Sequence, residues 1–105
     1  MPKYVFAYHG GKMPESDEEA QAVMSQWRNW FSQMGDQVVD SGNPVGKSST
    51  VHTDGSVTDD GGSNPLSGYS IVEANTLEDA LALAKDCPVL AAEGSVEVAM
   101  IMEMD

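Results

Sequence analysis

The sequence predicts an α+β domain: one antiparallel sheet with two helices on one face. Two observations carry this reading. A strand–helix–strand order occurs twice, once on each side of a glycine-rich loop from Asp54 to Ser67. The first and last strand candidates are apolar on both sides, whereas a strand covered on one face alternates apolar with polar. A chain of 105 residues is a single domain, 1–105, with enough length for one core.

Tyr4 to His9 forms the first strand, with Tyr4, Phe6 and Tyr8 on one side and Val5, Ala7 and His9 on the other. Gly10 to Pro14 is a loop. Ser16 is a good N-cap, and Glu19 three residues later completes a capping box. Asp17 and Glu18 suit the positive end of the helix dipole. Ala20, Val23, Met24, Trp27, Trp30, Phe31 and Met34 then follow the spacing of one helical face, and Gly35 closes the helix. Both tryptophans lie on that apolar stripe and read as core.

Gln37 to Ser41 is a short second strand, ended by Gly42-Asn43-Pro44. Ser48 to Thr53 is β-prone and predicts a third strand or hairpin arm. The Asp54–Ser67 loop follows, with turn chemistry at Asp54-Gly55 and Asp60-Gly61-Gly62-Ser63-Asn64-Pro65. Gly68 to Ala74 is the next strand. Asn75 or Thr76 caps a second helix, whose buried stripe is Leu77, Ala80, Leu81 and Ala84. Pro88 stops it, with Asp86-Cys87-Pro88 as the exit. Gly94-Ser95 opens the last strand, Val96 to Met104. This βαββαβ order is the split βαβ of the ferredoxin-like fold. Both helices cover one sheet face, and the other, still apolar, predicts a homodimer packed sheet to sheet. Such pairing leaves clefts, where small molecules bind.

Composition narrows the function. Five basic and 17 acidic residues give a net charge of −12, which repels nucleic acid and anionic lipid. The start of the chain has no apolar leader, and no run nears the ~20 apolar residues that span a bilayer, so no membrane association is expected and a cytoplasmic protein is. Cys87 is alone: no internal disulfide and no thiolate metal cluster. Its acidic neighbour Asp86 opposes a thiolate, so Cys87 reads as structural.

Gly42-Asn43-Pro44-Val45-Gly46-Lys47-Ser48 approaches a phosphate-binding loop. Its glycines are one residue too close and no helix follows, so no nucleotide cofactor is expected. His52 and Asp54 share a strand face, but two ligands alone do not make a metal site. His9 is the stronger candidate, because it ends the central strand beneath a glycine loop, where ligands gather. Asp40 at the end of the second strand, or Asp54, is the carboxylate that would orient it as a general base. Tyr8 and Tyr69 are candidate hydroxyl donors to the same cavity.

Several stretches, in order, resemble the YCII-related family, and within it the DGPF-motif branch. They are Asp54-Gly55, Leu66-Ser67-Gly68-Tyr69-Ser70-Ile71-Val72-Glu73-Ala74, Thr76-Leu77-Glu78-Asp79-Ala80, Cys87-Pro88 and Gly94-Ser95-Val96-Glu97-Val98. Where the motif has Pro-Phe, this chain has Ser56-Val57. The resemblance implies a dimeric α+β barrel. It implies little about activity: some relatives carry a His–Asp pair in a cleft and are suspected enzymes. DGPF-type proteins are also associated with sigma factors, which implies a non-catalytic regulatory or protein-interaction module as the alternative to a His/Asp-assisted enzyme.

Overall fold

The structure is a computed structural model and describes residues 1–104. Strand β1 (Lys3–His9) is the centre of the molecule, flanked by β5 (Leu66–Glu73) on one side and β6 (Ser95–Met100) on the other. Strand β2 (Val38–Asp40) pairs with the far edge of β5, giving the order β2-β5-β1-β6 with every pair antiparallel. This is the ferredoxin-like α+β arrangement that the repeated strand–helix–strand order requires.

Helix α1 (Asp17–Met34) starts where its cap chemistry dictates. Ser16 is extended and its Oγ accepts from the Glu19 amide at 3.1 Å, while Glu19 Oε2 accepts from the Glu15 amide at 2.8 Å. Gly35, at φ +56°, terminates it, and a 3-10 turn (Gly35–Gln37) leads into β2. Trp30 and Met34 are buried against the sheet, whereas Met24, on the expected stripe, is exposed. The Trp30 ring stacks on Phe6 with centroids 6.0 Å apart, and its indole N–H donates to the Leu83 carbonyl at 3.0 Å. That bond ties α1 to α2 (Leu77–Ala84). In α2, Thr76 is the N-cap, and its Oγ1 accepts from the Asp79 amide at 3.1 Å. Ala80 and Ala84 are buried, but Leu77 and Leu81 are partly exposed, so the stripe is narrower than expected.

Three expectations need correction. Pro88 does not merely end a helix; it is the first residue of a short helix α3 (Pro88–Ala91), where its missing N–H costs nothing. The Asp54–Ser67 loop is not all loop: Thr50–Val51 (β3) and Val57–Thr58 (β4) pair as a separate hairpin, and β5 begins at Leu66 rather than Gly68. The last strand stops at Met100. Met100 lies opposite Tyr4, so only Lys3 remains to pair with, through the Ile101 amide.

The two faces of the sheet differ as a helix-covered sheet requires. Tyr4, Phe6, Tyr8, Ser70 and Val72 are buried under the helices. Val5, Ala7, His9, Tyr69 and Ile71 face the other way and stay half-buried. No helix among the described residues is long and apolar enough to cross a membrane.

Candidate functional site

His9 closes β1, opposite Leu66 on β5 and Ser95 on β6. The β1–β5 register slips between Tyr8 and His9. Immediately after it, Gly10 and Gly11 turn the chain away at φ +70° and +96°. Gly94 lets the turn before β6 pass close beneath: a Cβ there would lie 2.7 Å from the His9 carbonyl oxygen. The histidine is therefore held by backbone on both sides.

Its imidazole lies on the open sheet face and is only 12% exposed. Nε2 lies 2.9 Å from Oε1 of Glu97, while Nδ1 lies 2.9 Å from the carbonyl oxygen of Asn64 and 3.3 Å from that of Pro65. Carbonyls and carboxylates only accept. A neutral imidazole has one N–H and satisfies one side at a time; the doubly protonated ring donates to both. Glu97 itself is 70% exposed, so a ligand can displace its carboxylate from Nε2 without disturbing the core. The arrangement is a held imidazole with an accessible carboxylate beside it, the elements of acid–base chemistry on an oxygen-bearing small molecule.

The other sequence candidates sit elsewhere. Asp40 lies on β2 opposite Ile71, with β5 between it and β1, and its Oδ1 accepts from the Gly42 amide at 2.9 Å. Asp54 occupies the tip of the β3–β4 hairpin. Its Oδ1 accepts from the Ser56 hydroxyl at 2.7 Å and the Ser56 amide at 2.9 Å, and these bonds hold the carboxyl below its usual range. His52 on the same hairpin hydrogen-bonds Thr58 through Nε2. Neither aspartate is hydrogen-bonded to His9; the carboxylate that is, Glu97, lies 88 residues away in sequence. Its signal was a charged residue between Val96 and Val98, on the face that β6 turns the same way as His9. Using that signal requires knowing that β6 pairs with β1.

Of the two tyrosines, Tyr69 shares the open face with His9, opposite Ala7. Tyr8 is on the helix side. Its hydroxyl donates to Ser70 Oγ at 2.7 Å, and Ser70 donates on to the Ser41 carbonyl at 2.6 Å. Burial raises the Tyr8 phenol well above its ordinary range, as suits a packed tie between strands rather than a proton carrier. Cys87 is buried, and burial pushes its thiol up to about 12. Among the described residues, no three His, Cys, Asp or Glu side chains converge to hold a metal ion.

Fold and geometry together define a ferredoxin-like α+β protein with a histidine–glutamate pair on its uncovered sheet face. The chain belongs to the YCII-related family: the YCII-related domain matches residues 4–105. A comparison with curated proteins gives no match. Among solved structures, the chain is similar to the 5-chloro-2-hydroxyhydroquinone dehydrochlorinase of Burkholderia phenoliruptrix in complex with 2,5-dihydroxybenzoquinone. That likeness has a TM-score of 0.55 at 13% identity and covers 95% of each chain. At that identity it establishes the shared fold.

Proposed function

We propose that this protein is a small cytoplasmic homodimer that binds an oxygen-bearing small molecule against the open sheet face and moves a proton to or from it through His9. The observation that carries the proposal is the His9 ring, nearly buried with an acceptor 2.9 Å from each nitrogen, one of them the exposed carboxylate of Glu97. His9 is the acid–base group; the Asn64 and Pro65 carbonyls at Nδ1 orient its ring, and Glu97 yields its place at Nε2 to the ligand. A second copy over the half-buried Val5, Ala7 and Ile71 would turn the face into a cleft, the kind of site small molecules occupy. The dehydrochlorinase neighbour, which holds a hydroxylated quinone, supports this class of ligand. The lone buried thiol suits a reducing compartment.

Placement in the DGPF-motif branch is part of the same reading. Asp54-Gly55 forms the hairpin turn, and Ser56, where the motif has proline, stabilises that turn by bonding Asp54 through both its amide and its hydroxyl.

The test is titration with 2,5-dihydroxybenzoquinone, followed calorimetrically. The wild type is expected to bind, His9→Ala to weaken binding at least tenfold, and Glu97→Gln to weaken it less. Asp40→Asn and Asp54→Asn should bind as wild type. Equal binding by wild type and His9→Ala would remove His9 from the site and favour a non-catalytic regulatory module.

A further inference from the structure

The helix side of the sheet holds a second concavity, away from the open face. It is a groove of about 450 Å³ between α1 and the segment that joins α2 to α3. Trp30 and Cys87 form its floor, and both are buried. The joining segment is tight: the Cys87 amide donates to the Ala84 carbonyl at 3.0 Å, and Pro88 starts α3 at once. Trp30 ties α1 to the end of α2 by donating its indole N–H to the Leu83 carbonyl at 3.0 Å. That bond spends the indole proton, so the tryptophan offers the groove only carbon.

Gln26, Asn29 and Gln33 line the α1 wall, three and four residues apart on the face that carries Trp30. Lys85 and Asp86 line the opposite wall, with Leu90 and Ala91 beside them. All five polar residues are exposed, so a ligand reaches them without opening the core. Among the described residues, no hydrogen bond or ion pair within the protein engages any of these five side chains. Elsewhere Lys12 pairs with Glu93 at 3.3 Å and Lys47 with Asp59 at 3.0 Å. Lys85 and Asp86, neighbours in sequence, do not pair with each other. The groove therefore presents one cation, one anion and three carboxamides with their bonding capacity unspent on protein.

The geometry points to a binding site for an α-amino acid with an apolar side chain, held as its zwitterion. Lys85 takes the carboxylate and Asp86 the ammonium; their Cα atoms are about 3.8 Å apart, so both charges reach groups carried on one carbon. The carboxamides of Gln26, Asn29 and Gln33 donate to the carboxylate and accept from the ammonium. The ligand's side chain lies against Leu90 and Ala91. Charge and shape select this class. A free anion is repelled by a chain of net charge −12, whereas a zwitterion carries no net charge. A sugar finds no aromatic face to stack on, because Trp30 is only 4% exposed. The volume is that of a small-molecule site, which runs from about 300 to 1,000 Å³. The site lies across the sheet from His9 and is independent of the proton transfer proposed there.

The experiment is an NMR titration of the full protein with L-leucine, read at the side-chain amides of Gln26, Asn29 and Gln33 and at the Trp30 indole N–H. These signals are expected to shift together and to saturate with a dissociation constant of about 1 mM, because the ion pairs face water. L-Leucinamide lacks the carboxylate and N-acetyl-L-leucine lacks the ammonium; each should bind roughly fivefold more weakly. Lys85→Gln should weaken L-leucine by a similar factor but not L-leucinamide. Asp86→Asn should weaken L-leucine but not N-acetyl-L-leucine. Both residues are exposed, so their replacement spares the core. No saturating shift of these signals up to about 50 mM L-leucine would overturn the site. Equal binding of the three ligands, or L-leucine binding unchanged in both variants, would overturn the zwitterion. D-Glucose moving the same signals where L-leucine does not would overturn the amino-acid class and assign the groove to a neutral polyol.

Discussion

Gly42 is where a single atom decides whether β2 can reach β5. Its φ is +72°, and a Cβ placed on it would fall 1.7 Å from the Tyr69 carbonyl oxygen, inside the van der Waals envelope of that atom. The turn is also fixed from outside: Asp40 Oδ1 accepts from the Gly42 amide, and the Asn43 carbonyl accepts from the Tyr69 amide at 3.3 Å. A side chain at Gly42 must therefore push β5 away or unwind the end of β2. Gly42→Ala is expected to destabilise the protein by about 3 kcal/mol or more, the sum of a left-handed backbone and a backbone clash. Urea unfolding followed by tryptophan fluorescence measures it, and a loss under about 1 kcal/mol would show that the turn after β2 is soft. Gly55, also at positive φ, has open space around it. An alanine there should cost only the conformational strain of about 1 kcal/mol.

At the scale of elements, what the sequence disclosed was local. The cap of α1 was legible because Ser16 and Glu19 are three residues apart and bond within one turn. Ser16→Ala should cost about 1 kcal/mol, and Ser16→Asp should restore most of it; equal stability of all three forms would show that packing of Trp30 alone sets the helix start. Elements whose limits depend on distant chain were not legible. Nothing in Val96 to Met104 marks a stop at Met100, because the stop comes from β1 running out of residues at the opposite end. The β4 strand at Val57–Thr58 hid in a polar loop because two strand residues give no periodicity; it exists through its pairing with Thr50 and Val51. Pro88 carries two meanings, terminator and first helical residue. The direction taken is set by Val89, which is buried against the core.

At the scale of the whole molecule, the same division explains the site. The place of His9 at a strand end before two glycines was legible, but the carboxylate beside it was not. Glu97 is brought to it only when β6 lands beside β1, and the Asn64 and Pro65 carbonyls only when the chain returns from the β3–β4 hairpin to β5. The buried titratable groups add a global consequence that sequence spacing does not disclose. Cys87 sits in the core under α1, and its thiol is raised by burial from an ordinary 9.0 to about 12; burial raises Tyr8 above its ordinary 10.0 as well. Below pH 9 both folded and unfolded chains hold these protons, so they do not affect stability. Above it the unfolded chain releases the thiol proton while the folded chain keeps it, so the folded state binds more protons and stability falls as pH rises. The slope for one such group is up to about 1.4 kcal/mol per pH unit, with Tyr8 adding to it above pH 10. Urea midpoints at pH 7, 9, 9.5 and 10 should be level up to 9 and fall beyond it. In Cys87→Ala the starting stability should be lower, because the core loses an atom, but the fall between pH 9 and 10 should be shallower. Equal slopes in the two proteins would mean that water reaches the thiol in the folded state and that the core beneath α3 is open.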